Sequence, residues 1–302
     1  MAVFNANEVK LGIAPIGWCN DDMPELGGEN TFQQIVSEMA LAGFTGCEIG
    51  NKYPSDPAEL KKALDLRGMR IASRWYSSFL LTRPIEEEEK DFIANLEFLA
   101  AVGADRINVS EQSYSIQGQM DTPILTGGNK YIMNDEEWDR LCKGLDHLGK
   151  IAKDRGFKLC FHHHMGTVVQ TSEETDRMMS NTDPDLVFLC YDTGHFTFAG
   201  EDPLTMLKKY VERIGHVHLK DMRLPVVEEA RANNYSFLKS VREGAFTVPG
   251  DGDVDFDPIF DVLAEAGYKG WLLVEAEQDP AKANPLEYAM KGRAYIREHT
   301  GL

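Results

Sequence analysis

Three stretches in the second half of the chain carry side chains able to bind a metal. They are Lys158 to Thr167 (KLCFHHHMGT), Val187 to His195 (VFLCYDTGH) and His216 to Asp221 (HVHLKD). A fourth, Trp271 to Glu277 (WLLVEAE), has the same form, a short apolar run that ends in polar residues. Six of the eight histidines fall between His162 and His218. Imidazoles and carboxylates at the ends of successive apolar strands are how a catalytic metal site in a barrel reads in one dimension.

Alternation along each run sorts these groups. His162 and His164 share a face, and His163 points the other way to pack behind them. His216 and His218 share a face, with His218 nearer the C-terminal end, so His216 is expected one layer deeper in a structural role. Glu275 and Glu277 share a face by the same rule. Asp192 ends the run FLCY, where a buried carboxylate needs a cation, hydrogen-bond partners or a helix terminus to cap. One inward ligand per strand gives His162, Asp192, His218 and Glu275. This mixed nitrogen and oxygen set suits Mn, Co, Fe or Zn better than Ca or Mg. Two carboxylates and two neutral imidazoles balance a divalent ion and leave positions for substrate oxygens.

The rest of the chain supplies elements to hold them. Short β-like runs alternate with longer amphipathic segments: strands at Val9 to Pro15, Gly46 to Ile49, Met69 to Tyr76, Asp105 to Ser110, Phe157 to His164, Val187 to Asp192, Ile214 to Leu219 and Gly270 to Glu275. Helical periodicity lies between them, with start signals such as Thr31 and the Asp56-Pro57 pair. Two long excursions, Glu111 to Asn134 and Met222 to Asp253, interrupt the alternation. The first has no helical pattern and is placed as a lid; the second contains a helix-like piece. Eight such alternations predict an α/β fold, a (β/α)₈ TIM barrel of one domain over residues 1–302, with its site at the C-terminal strand ends. A doubly wound sheet is the competitor, and the glycine fingerprint it would use for a dinucleotide is absent after the first strand.

Composition narrows the class further. The 302 residues are 43% hydrophobic and 26% charged, with a formal net charge of -18. That acidity argues against nucleic-acid binding, which leaves a basic footprint. The five cysteines are scattered without CxxC spacing and several sit in apolar runs, which points to a reducing cytoplasm. No secretory signal and no membrane span is read.

The stretches DTGHFTFAG, HVHLKD and VEAE resemble the xylose-isomerase-like, AP-endonuclease type 2 superfamily of metal-dependent TIM barrels. APIGWCNDD, EIGNKYP, FHHHMGTVVQT, CYDTGHFTFAG, HVHLKDMR and FTVPGDGDVDF more closely resemble the inosose dehydratase family, over nearly the whole chain. The resemblance implies a hydro-lyase of myo-inositol catabolism that converts scyllo-inosose to a trihydroxycyclohexane-1,2-dione, with manganese or cobalt and with glutathione. The partner implied is a small cyclic polyol ketone; assembly into a homo-oligomer is left open. One departure stands out. The superfamily's fifth-strand ligand is a Glu, and His162 occupies the matching position, so either His162 replaces it or the site has fewer protein ligands.

Such a reaction needs a Lewis acid, a base for the proton α to the ketone and an acid for the departing hydroxyl. His195, His164 and Glu277 are candidates for the proton transfers, with Glu48 a further one. Asn51, Lys52, Trp75, Ser110 and Glu111 end earlier strands and are candidates to hydrogen-bond the polyol. Lys220 is a further candidate for proton transfer or for the polyol and, read as turned off the His218 face, equally a surface residue. A sugar or polyol isomerase or epimerase is the nearest alternative function. More distant are AP-site cleavage, which the acidity opposes, and a non-catalytic sugar-binding barrel, which has no need of ligands on four strands.

Overall fold

The computed structural model describes residues 4–302. Its main sheet has nine hydrogen-bonded segments, all parallel where paired. The two segments at the ends of the sheet order are Arg70–Ser73 and Trp75–Ser78, halves of one strand divided at Arg74. The first half pairs back to Gly46–Glu48 and the second forward to Arg106–Glu111. The sheet therefore closes on itself as an eight-stranded barrel. We number its strands β1 (Val9–Ile13), β2 (Gly46–Glu48), β3 (Arg70–Ser73 with Trp75–Ser78), β4 (Arg106–Glu111), β5 (Lys158–His162), β6 (Val187–Asp192), β7 (Ile214–Leu219) and β8 (Gly270–Val274).

The helices form where local chemistry starts them. Asp56 caps Pro57–Asp65 by accepting from the backbone of Ala58 and Glu59, and Asn134 and Thr171 each close a capping box. The large apolar core lies between strands and helices, including Ile107, Val109, Leu159, Leu189 and Val217 against Leu99, Leu141, Leu145 and Leu207. Within the barrel, small residues make room for a large one. A Cβ on Gly46 would lie 2.2 Å from the Trp271 ring, which fills the floor. Above that floor sits a polar layer of Ser73, Asn108 and His216, all buried.

A second apolar cluster caps the C-terminal end, drawing Met23 and Leu26 from the loop after β1, Ile116 and Ile124 from the loop after β4, and Phe237 and Phe246 from the excursion after β7. That excursion holds two helices, Leu224–Ala232 and Phe237–Arg242, and a strand pair, Asp221–Met222 with Phe246–Thr247, where the sequence pattern shows one helix-like piece. The loop after β4 has no helix, as expected, and is tied down by Ile116 N–H to the Gly166 carbonyl and Ile124 N–H to the Tyr235 carbonyl. The segment PGDGDV is pinned by one carboxylate. Asp221 accepts from the backbone N–H groups of Met222, Gly250, Gly252 and Val254 at 2.8 to 3.0 Å. Asp221→Ala leaves those donors buried without an acceptor and is expected to destabilise the fold by about 3 kcal/mol, read as a lower urea midpoint at unchanged slope.

No helix among the described residues is long and apolar enough to cross a membrane. All five cysteines are free and buried.

Candidate metal centre and active site

Strands β5 to β8 end side by side, and their register sets the site. Asp192 on β6 lies opposite His218 on β7, and His162 on β5 opposite Cys190 on β6. His162 Nε2 is 3.1 Å from His218 Nδ1 and 3.5 Å from Asp192 Oδ2. His218 Nδ1 is 3.5 Å from the same Asp192 oxygen and 2.6 Å from Glu275 Oε2. The donor atoms of all four residues lie within 4.8 Å of one another. Four ligands on one tetrahedral ion at ordinary bond lengths sit about 3.4 Å apart, so three of these separations match that geometry.

The hydrogen bonds around the cluster favour a cation at its centre. Asp192 divides its oxygens: Oδ1 caps the helix Thr193–Ala199 by accepting from His195 N–H at 2.8 Å, and Oδ2 is buried with no hydrogen-bond partner. His218 Nε2 faces Glu48 Oε1 at 3.0 Å, which places its proton there and turns the Nδ1 lone pair to the cluster. Lone pairs of a carboxylate oxygen on each of two residues and of imidazoles thus converge on one buried point. Such a donor set fits a single divalent cation of the first transition series or zinc.

Glu48 serves this arrangement from beneath. Its Oε1 accepts from Asn108 Nδ2 at 2.7 Å and from Ser73 Oγ, and lies 3.2 Å from His216 Nε2. A group expected to move protons is thus engaged in orienting His218, although its edge still reaches the cavity. Replacing Glu48 by Gln is expected to weaken metal affinity about 10- to 100-fold, measured by competition with a fluorescent chelator. Here His216 sits a layer below His218, and His163 stacks on Phe196 with ring centroids 3.6 Å apart.

A cavity of about 520 Å³ opens over the cluster, lined among others by Glu48, Trp75, His164, Glu275 and Glu277 and by the loop residues Asp21, Asp22, Gln112 and Gln117. His164 Nδ1 lies 2.8 Å from the Met165 carbonyl and must carry the proton of that bond, which leaves Nε2 as an acceptor. Burial, with His162 and Lys220 adding to it, lowers its pKa to about 3, so it is neutral. Burial pushes the Glu277 carboxyl up to about 7 against the pull of Lys220.

Several expected contacts are placed elsewhere. His195 is fully buried and does not line the cavity; it stands behind His164, with ring centroids 3.8 Å apart. The cause is the helix that begins at Thr193, where the sequence suggests only a turn. Glu111 is also fully buried and turned from the cavity: its carboxylate accepts from Ser78 Oγ and from the backbone of Leu80 and Ser113, anchoring the neighbouring loops. Ser110 is buried too, and accepts from Gln112, the residue that reaches the cavity in its place. Asn51 and Lys52 are exposed beside the loop after β1, where Lys52 Nζ donates to the Gly28 carbonyl at 3.0 Å. Trp75 does line the cavity, its ring edge-on to His162 and His164.

Lys220 is neither on the surface nor at the cavity wall. It is fully buried, with Nζ 2.8 Å from Glu277 Oε1, 2.9 Å from Glu275 Oε1 and 3.0 Å from His195 Nε2. Burial opposes its charge, yet Glu275, Glu277 and Asp192 hold its pKa above the ordinary lysine value. Two signals in the sequence point there. Continued alternation from His218 puts residue 220 on the same face, and Gly194 leaves the space, since a Cβ at 194 would lie 2.5 Å from Lys220 Cγ. Asp21, Asp22, Gln112 and Gln117 come from long loops and carry no periodic signal.

Inosose dehydratase of Clostridium perfringens strain 13 is 63% identical over 300 residues, 99% of this chain and 100% of that protein. Inosose dehydratase of Geobacillus thermodenitrificans is 59% identical with the same coverage. Among solved structures, the IOLI protein with a bound zinc atom superposes with a TM-score of 0.72 at 16% identity, covering 97% of this chain and 100% of that one. The probable 3-DHS dehydratase AsbF of Bacillus anthracis gives 0.68 at 14% identity over 95% of this chain and 98% of that one. At those identities the structural likeness is one of fold. The model of the xylose isomerase-like TIM barrel family matches residues 36–299, and on that match together with its whole-length relatives the chain belongs to this family, among the inosose dehydratases.

Proposed function

We propose that the protein is a metal-dependent hydro-lyase that dehydrates scyllo-inosose (2-keto-myo-inositol) to 3D-(3,5/4)-trihydroxycyclohexane-1,2-dione in inositol breakdown. The observation that carries the proposal is the likeness to inosose dehydratases, 58 to 63% identical along their full length. His162, Asp192, His218 and Glu275 would hold the ion, and their mixed donors suit manganese or cobalt, the ions the family resemblance implies. That resemblance also adds glutathione as a requirement.

A divalent ion in this position supplies Lewis acidity to the ketone and makes the neighbouring C–H more acidic. The remaining work falls to the chain. Glu277 lines the cavity beside the ligand set and is suited to take the proton α to the ketone. The same carboxyl then returns that proton to the β-hydroxyl as the C–O bond breaks, so one water leaves and Glu277 ends as it began; the enol left behind becomes the dione by giving up its hydroxyl proton and taking one at the β carbon. His164 Nε2 accepts a hydrogen bond from a substrate hydroxyl and orients the ring. Trp75 offers an apolar face, and Asp21, Asp22, Gln112 and Gln117 offer acceptors and donors for the other hydroxyls.

The test is incubation of the metal-loaded protein with scyllo-inosose while dione absorbance and NMR spectra are followed. Dione formation with loss of one water is expected. Conversion to an isomeric ketose with no water lost would replace this reading with an isomerase or epimerase.

A further inference from the structure

Beside the four-donor cluster lies a second set of buried metal-ligating groups: His164, His195 and Glu277, whose donor atoms also fall within 4.8 Å of one another. A cation already stands against two of them, His195 and Glu277. Lys220 Nζ is 2.8 Å from Glu277 Oε1, 3.0 Å from His195 Nε2 and 3.7 Å from Asp192 Oδ2. Glu275 faces both positions, with Oε2 on His218 Nδ1 and Oε1 2.9 Å from Lys220 Nζ. The Phe246 ring closes the apolar side, its centroid 4.8 Å from the ammonium. Thr193 fixes the backbone that delivers it, its hydroxyl accepting from Lys220 N–H at 2.9 Å and donating to the Lys220 carbonyl at 2.8 Å.

Charge gives the reason for such a construction. Asp192, Glu275 and Glu277 bring three carboxylates into one buried space. A divalent ion balances two of them, and the third is costly without a partner. We propose that Lys220 Nζ fills a second cation position, bounded by Glu277, His195 and the far oxygen of Glu275, with Glu275 bridging it to the metal. The chain then holds one ion and a tethered ammonium where two-ion enzymes hold a pair. The spacing agrees: His195 Nε2 and Glu277 Oε1 are 3.9 Å apart, wider than the about 3.4 Å of a tetrahedral metal site, as an ammonium with longer contacts requires. The inference rests on the four-donor metal site proposed above.

Truncation of the lysine tests it. The parent chain, Lys220→Ala and Lys220→Ala with Glu277→Gln are each saturated with Mn²⁺ or Zn²⁺, desalted and assayed for metal per chain by elemental analysis. The expected contents are one, two and one. One ion in both the parent and a folded Lys220→Ala overturns this inference alone. A parent that binds none removes the four-donor reading and this one with it. Where Lys220→Ala unfolds without metal, a melting temperature restored by Zn²⁺ in that variant and not in the double variant supports the proposal; a fold that no metal restores overturns it.

Discussion

Asp192→Asn is expected to empty the metal site and to lower turnover of scyllo-inosose roughly a thousandfold or more, while the fold stays intact. The separation follows from the two jobs of one side chain. Oδ1 caps the helix Thr193–Ala199, and asparagine caps about as well as aspartate. Oδ2 has no hydrogen-bond partner and faces His162 Nε2 and His218 Nδ1, each 3.5 Å away. Asparagine puts an N–H₂ there, a donor with no charge, and the site loses half of its carboxylate balance. Elemental analysis should find metal falling from one per chain toward none, with a far-UV spectrum like the parent's. A variant that keeps one tightly held ion and parental turnover would remove Asp192 from the ligand set. In the parent, chelation should abolish turnover and added Mn²⁺ or Co²⁺ should restore it.

How far the chain could be read in one dimension depends on where regular alternation stops. His162, Asp192, His218 and Glu275 sit at or next to the last residues of strands, where a period of two still dictates side-chain direction, and the structure brings all four together. Beyond those ends the rule has no force. His195 follows Asp192 by three residues, and a helix, not a turn, carries it behind His164. Glu111 ends β4, yet neighbouring loop N–H groups claim its carboxylate. Pocket contacts such as Asp22 and Gln117 lie on loops whose course is set by the cap cluster of Met23, Ile116 and Phe237, a long-range packing that no local pattern encodes. The barrel itself was readable because each strand and helix declares itself locally. Its closure at Arg74 is a matter of pairing, not of pattern.

Glu277→Gln separates proton transfer from metal binding. Glutamine matches glutamate in shape, and its carbonyl can keep the contact that Glu277 Oε1 makes with Lys220 Nζ, so packing and the ion in the neighbouring site are retained. What it lacks is a group able to accept the α proton. The expected result is a kcat lower by roughly 10²- to 10⁴-fold, the usual contribution of a positioned acid or base, with KM and metal content close to the parent's. Isotope exchange gives a second readout. In D₂O the parent should exchange the α hydrogen of scyllo-inosose as it turns over, and the variant should leave it in place. Exchange at the parental rate with turnover still lost would assign the first proton transfer to another group and keep Glu277 only for the departing hydroxyl. A kcat within tenfold of the parent would take Glu277 out of the chemistry, and His164, Asp21 and Asp22, the imidazole and carboxylates at the cavity wall outside the ligand set and its Glu48 support, would be the bases to examine next.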